Sequence, residues 1–366
     1  MEKVESKPDV PFGSNAIRLS VREWNVAAIL FLAIFIVVPR LWERLEPFTP
    51  GPDFRMPYKL SSDYWLYERY CRSTVSAGQT PIIGDSVVWG QYVKADQTLS
   101  HYLNVLSGDE RFANMGMDGM HPAALAGLIK YYGLAISRRK VVLVCNPLWM
   151  TSEKADLSSD KEFSFNHPKL APQFFPRIPC YTESASGRLG ILVERALPFF
   201  AWASHLRVAY FESMDIPAWT MERPYANPMS AVSLQPVKEE KLKRRPALWT
   251  GKEQDRQDFA WVELDKSFQW SRFRKAVEIL EQRGNTVFVL VGPFNEHMMK
   301  RNSLAAYLRL KAGIEKWLRE GNIPHFAPPP LPSDQYADAS HPWAKGYELL
   351  AKSLFENDSF KSSIMK

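Results

Sequence analysis

The sequence predicts an α/β protein, a three-layer α/β/α sandwich around a parallel sheet, carried behind an N-terminal transmembrane helix. Three observations predict it. Short β-branched runs alternate with segments of helical periodicity. The runs are apolar throughout, so they read as strands buried on both faces, as in parallel sheets. One long uninterrupted apolar segment, Val26 to Val38, stands near the N-terminus.

From the N-terminus, residues 1–23 are polar and read as a tail. The apolar run is flanked by Trp24 on one side and by Arg40 and Trp42 on the other. With these flanks, residues 24–42 match the roughly 17–20 residues that cross a bilayer, with aromatic and cationic groups at the ends. No polar stripe interrupts the run, as it would in an amphipathic core helix. No small-x-small site follows it, as it would in a cleaved signal peptide. The segment reads as an uncleaved, single-pass signal anchor. Charge does not orient it: Lys3, Lys7, Arg18 and Arg22 precede it, and Arg40, Arg44, Arg55 and Lys59 follow.

Residues 43–78 form a connecting region containing the aromatic stretch Tyr64–Tyr67. Regular alternation then begins and defines one domain over 79–366. The predicted strands are Thr80–Ile83, Val141–Cys145, Thr286–Val291 and, fourth, Ile323–Phe326. A helix is expected over Pro122–Tyr132. Phe273, Val277 and Leu280 recur at helical spacing before a C-capping Gly284. Leu304, Tyr307, Leu308, Ile314, Trp317 and Leu318 do the same, with Ser303 as N-cap and Gly321 as stop. A last helix starts near Pro342. Residues 151–262 break the alternation as a Pro-rich insertion. It holds one amphipathic stretch, Leu189–Phe211, read as a packed helix, and a charge run, Lys238–Arg245, read as a solvated loop.

Composition removes several function classes. With 46% hydrophobic and 23% charged residues the chain is neither disordered nor fibrous. The net charge of +6 is spread among acidic residues with no basic face interleaved with aromatics, which argues against nucleic acid. Three cysteines, Cys71, Cys145 and Cys180, form no CxxC pair and no disulfide framework; Cys145, inside an apolar run, reads as a small core hydrophobe. His297, His325 and His341 share no HxxxH or HxH spacing, so no zinc site is expected. No P-loop or Rossmann glycine pattern is present. The expectation is a site without metal or organic cofactor.

In an open parallel sheet, ligands gather at the carboxyl ends of the strands, and the chemistry-bearing residues fall there. Gly84-Asp85-Ser86 follows the first strand directly. A serine on a strand-to-helix turn is exposed and its own N–H points into the site, as a nucleophile requires; an N-cap serine looks the same. Asn114-Met-Gly116-Met-Asp-Gly119 precedes a helix, and a glycine there lets the backbone offer an N–H to an oxyanion. Asn146 ends the second predicted strand, either to donate its amide to the same oxyanion or to cap the strand before Pro147. The most specific signal is Asp338-Ala-Ser-His341-Pro342. An Asp three residues before a His on a turn can bond the imidazole Nδ1 and fix its tautomer, leaving Nε2 to take a proton from a serine. The competing reading is a helix cap at Ser340 with His341 incidental.

These blocks, over about 80–150 and 265–355, resemble the SGNH (GDSL-like) serine hydrolase superfamily, whose fold is flavodoxin-like. The resemblance implies a catalytic triad of Ser86, Asp338 and His341, and an oxyanion hole of the Ser86 N–H, Gly116 and Asn146. Val87 stands where the name-giving motif has Leu, and Cys145-Asn146-Pro147 where the third block reads GxND. Asn146-Pro-Leu-Trp149 and His341-Pro-Trp-Ala-Lys-Gly346 also resemble the membrane-anchored branch of teichoic acid and polysaccharide acyl-transfer proteins. The implied activity is that of a serine esterase or O-acyltransferase on an acylated cell-envelope or extracellular polysaccharide. The domain would lie on the extracytoplasmic, periplasmic or extracellular, face, and a membrane-bound O-acyltransferase would be a partner. The alternative is a catalytically silent SGNH-like domain that binds polysaccharide or scaffolds such an acyltransferase.

Overall fold

A computed structural model describes residues 19–234 and 248–366. The charge run Lys238–Arg245 and most of the polar tail expected at 1–23 lie outside the described residues. The chain divides into two units, Met1–Glu46 and Pro47–Lys366.

Among the described residues the first unit is a single helix, α1 (Val21–Leu45). Ser20 caps it, with its side chain accepting from Glu23 N while the Glu23 carboxylate takes the Ser20 N–H at 2.7 Å. These caps extend the helix beyond the apolar run on which residues 24–42 were placed. Its 25 residues rise about 37 Å at 1.5 Å each, and it is long and apolar enough to cross a membrane.

The second unit opens with α2 (Tyr64–Ser76), capped by Asp63. It is built on a five-stranded, fully parallel sheet in the order β2-β1-β3-β4-β5. The strands are β1 (Thr80–Gly84), β2 (Phe112–Gly116), β3 (Lys140–Cys145), β4 (Thr286–Val291) and β5 (His325–Phe326). Three match the predicted runs. The fourth predicted run is shortened to two residues, since Pro324 lies within it. β2 went unpredicted: Phe-Ala-Asn-Met-Gly contains no β-branched residue, and only pairing along all of β1 makes it a strand.

Strand side chains alternate between two separate cores. Ile83, Leu143 and Val289 join a cluster with α2, α5 (Pro122–Tyr132) and α10 (Phe268–Gln282). Ile82, Val142, Phe288 and Leu290 join another with α4 (Leu99–Ser107) and α12 (Ala344–Glu356). Between β3 and β4 the insertion contributes α6 (Ala185–Ala196), α7 (Pro198–Tyr210), α8 (Ile216–Glu222) and α9 (Pro228–Ala231). The single stretch expected over Leu189–Phe211 is thus two helices, divided at Pro198, whose ring fits the first turn of a helix but not its interior. Ser303 is no N-cap: α11 (Arg301–Glu320) begins earlier, and the Ser303 hydroxyl accepts from Phe259 N at 2.8 Å.

The chain leaves β1 toward β2 on one side and then crosses back to β3 on the other. The direction of winding therefore reverses between β1 and β3, and their carboxyl ends mark the place where open α/β sheets form a ligand crevice.

Candidate active site

At that crevice the backbone turns sharply from β1 into the short helix α3 (Ser86–Trp89). Asp85 is its N-cap and accepts from Val87 N at 3.0 Å. Ser86 holds the first helical position, where a backbone N–H has no intrahelical acceptor, and its N–H makes no hydrogen bond among the described residues.

The second piece arrives from 255 residues further along the chain. The turn after β5 is tied back to the end of β4, with Asn295 Nδ2 donating to Asp338 O at 3.2 Å and Asn295 N to Ala339 O at 2.8 Å. Within it, Asp338 Oδ1 accepts from Ser340 N and His341 N, both at 3.0 Å. Both Asp338 oxygens lie 2.8 Å from His341 Nδ1. One carboxylate thus folds the turn and orients the ring. With Nδ1–H donated to Asp338, Nε2 accepts from the Ser86 hydroxyl at 2.8 Å. The Tyr92 ring meets the imidazole edge-on, centroids 5.6 Å apart.

Helix capping does not account for this turn. Helix α12 begins at Ala344, and its N-cap, Trp343, makes no side-chain cap bond. The Ser340 hydroxyl is buried and has no hydrogen-bond partner among the described residues. Asp338 serves the turn and the histidine instead.

The electrostatics follow from this placement. Burial alone would push the Asp338 carboxyl up, but the His341 hydrogen bond and charge, with the two backbone N–H groups, hold it below the usual carboxylate value. Burial alone would push His341 down, but the Asp338 hydrogen bond and charge, with the charges of Asp85 and Asp118, raise it above an ordinary imidazole.

The three groups expected to stabilise an oxyanion fare differently. The Ser86 N–H is open. Gly116 lies beside Gly84 at the end of β2, and its N–H donates to Asn114 Oδ1 at 3.1 Å. What requires glycine there is close approach to α3: a Cβ would sit 2.2 Å from Trp89 N and 2.7 Å from the Val88 carbonyl carbon. Asn146 sits at the crevice but donates from Nδ2 to Asp85 Oδ2 at 2.7 Å, while its Oδ1 accepts from Leu148 N at 3.0 Å. It both caps its own turn and braces the serine turn.

Asp85 has a structural role that the sequence motifs do not assign. It is buried, and besides Val87 N and Asn146 it accepts from the Trp149 indole N–H at 2.8 Å. Three donors from two segments thus converge on the residue before Ser86. The sequence signal for this was weak: an Asp in GDS and a Trp shortly after Asn146. On its other side Trp149 walls a cleft of about 320 Å³, shared with Phe163, Phe165 and Lys154 from the insertion. His121 closes that cleft, with Nε2 2.9 Å from Asn166 O. Burial pushes it down to about 4, so it stands neutral.

All three cysteines are free and buried, and burial pushes the Cys145 thiol up. The described residues hold no group of three or more His, Cys, Asp or Glu able to ligate a metal. No known protein-family pattern matches this chain, and no curated protein matches it in sequence.

Proposed function

We propose that this protein is a membrane-anchored serine esterase or O-acyltransferase of the SGNH type, with a three-layer sandwich and a triad of Ser86, His341 and Asp338. The observation that carries the reading is the continuous line of hydrogen bonds from the Asp338 carboxylate through His341 to the Ser86 hydroxyl, each 2.8 Å, at the sheet's switch point. Ser86 Oγ would attack an ester carbonyl and pass its proton to His341 Nε2, and Asp338 would stabilise the resulting imidazolium. His341 would return that proton to the leaving alkoxide as the tetrahedral intermediate collapses to acyl-Ser86. Water, or the hydroxyl of a polysaccharide, would then take the acyl group, with His341 again as base.

The open Ser86 N–H offers one donor to the oxyanion, and the second amide hydrogen of Asn146 another. The Gly116 N–H would have to exchange Asn114 Oδ1 for the substrate oxygen. The acylated polysaccharide, the extracytoplasmic setting and a membrane-bound acyltransferase partner belong to the same reading; they rest on the motif resemblance and on α1. Labelling of the full chain with a fluorophosphonate probe tests it. The parent should label and Ser86→Ala should not. Absence of labelling in the parent would favour the catalytically silent, scaffold alternative.

A further inference from the structure

A second surface of the Pro47–Lys366 unit combines apolar and cationic groups. A pocket of about 300 Å³ opens between α5, α10, α6 and the chain near residues 170–175. Ala126, Gly127, Leu170 and Ile279 give it an apolar floor. Lys130 on α5 stands at its rim, with Arg272 and Lys275 one turn apart on the same face of α10. No carboxylate lines the pocket; Glu278, close by, pairs with Lys275 at 2.8 Å. Arg195 only shapes a wall, because its guanidinium donates to the carbonyls of Lys169 and Ala171 and lies over Tyr131. Lys130 and Arg272 form no ion pair among the described residues.

The ground beside the pocket is apolar and uncovered. Phe175 is 92% exposed at the mouth. On α6, Leu189, Leu192 and Val193 recur at helical spacing and are exposed together, and Leu192 itself lines the pocket. A protruding ring and an uncovered aliphatic stripe beside free cations match an amphiphile with a negative head, not a wholly polar ligand. The chain supplies proximity to a source. The span read over residues 24–42 leaves only residues 43–46 before the second unit starts at Pro47, so a bilayer that takes up α1 lies a few residues from this unit's first residue.

We propose that this pocket binds the headgroup and upper acyl chain of an anionic phospholipid in that bilayer, with Phe175 and the α6 stripe lodged at the membrane interface. The inference rests on α1 as a membrane anchor and not on the chemistry of Ser86. Each surface cation near an anionic membrane is worth about fivefold in affinity.

The test uses the full chain reconstituted in liposomes and carrying Phe175→Cys labelled with a polarity-sensitive fluorophore. The three native cysteines are buried and free, so labelling falls on the new thiol. The label should shift to the blue in liposomes containing phosphatidylglycerol and stay unshifted in pure phosphatidylcholine. The further double substitution Lys130→Ala/Arg272→Ala should raise the phosphatidylglycerol fraction needed for half the shift by roughly twentyfold, or abolish the shift. An equal shift in both lipids, no shift in either, or reversal of the shift by inorganic phosphate would overturn the proposal. So would a full chain that fails to float with the liposomes. Because none of these readouts uses Ser86, an inactive esterase with an intact shift leaves this inference standing, and the converse result overturns it alone.

Discussion

Among the described residues, two histidine–aspartate pairs have a buried imidazole, and they stand in different surroundings. His341 meets Asp338 at 2.8 Å in the turn after β5. His205, on α7 of the insertion, meets Asp63 at 2.6 Å. In both, Nδ1 faces the carboxylate, and in both the carboxylate also accepts a backbone N–H, from His341 in one and Leu66 in the other. The difference lies in where the pairs stand. Asp63 caps α2 and its partner pins the insertion to it, with the Trp65 ring 4.4 Å from the imidazole. His341 stands at the sheet's switch point with a serine hydroxyl on Nε2. On the proposed function the first pair serves as a base, because a serine hydroxyl stands on its Nε2, whereas the second ties an insertion helix to the N-terminus of α2.

The comparison breaks most sharply at the third group. Ser86→Ala and His341→Ala should each reduce turnover of a short-chain aryl ester by at least about a thousandfold, and the double variant should be little worse, since the two act as a unit. Melting of the Ser86→Ala protein should stay within about 2 °C of the parent. A His341→Ala protein that melts lower but turns over normally would return that histidine to the structural class.

The two acids give the next contrast. Asp338→Asn should lose about a hundred- to ten-thousandfold in rate, because the imidazole tautomer is no longer fixed. Asp63→Asn should leave turnover per folded molecule unchanged within about twofold and cost about 1–3 kcal/mol, because the buried His205 loses a carboxylate hydrogen-bond partner. Calorimetry and turnover on the same two preparations separate these outcomes; equal losses of rate would erase the distinction.

A pH titration sharpens it further. Because His341 is raised above the ordinary imidazole value, at pH 6.5 it is mostly protonated and cannot accept the Ser86 proton. Activity should rise through an ionisation above about 6.5. The stability this pair supplies runs the opposite way. The histidine's share is present below its unfolded value and is lost as pH rises through the higher folded one. The share of Asp338, which is held low, is present above about 3.8 and is lost as pH falls through the lower folded value. Between the unfolded and folded histidine values, then, activity should climb as melting temperature slips. Parallel curves would contradict the assignment.

The smallest expected effect is at Trp149. Trp149→Phe keeps the ring but removes the indole N–H from Asp85, and should cost about threefold to tenfold in rate and about 1 kcal/mol in stability. An unchanged rate would mean that Asn146 and Val87 hold Asp85 without it.

How much of this was legible follows from how local each determinant is. The cores of β1, β3 and β4 are β-branched runs and announce themselves, whereas β2 exists only through its pairing with β1. Ser86 and the Asp338–His341 pair could be read because each sits on a turn whose residues lie within a few positions. Asp85 could not: its partners Asn146 and Trp149 lie 61 and 64 residues away. The His205–Asp63 pair, 142 residues apart, left no mark in sequence at all. Gly116 was placed at the right strand end for its N–H, but the demand for glycine comes from the Trp89 backbone packed against its Cα. That is a steric fact visible only once α3 and β2 are side by side.

The central claim is that Ser86 becomes covalently acylated with His341 as its base. The direct measurement is to mix the full chain with an aryl acetate, quench in acid during the first turnover, and map the modified peptide by mass spectrometry. The account predicts one acetyl group on the peptide containing Ser86, formed faster as pH rises past 6.5 and absent in His341→Ala. An unmodified Ser86 peptide while ester is being consumed, or acetyl placed on another residue, would contradict it.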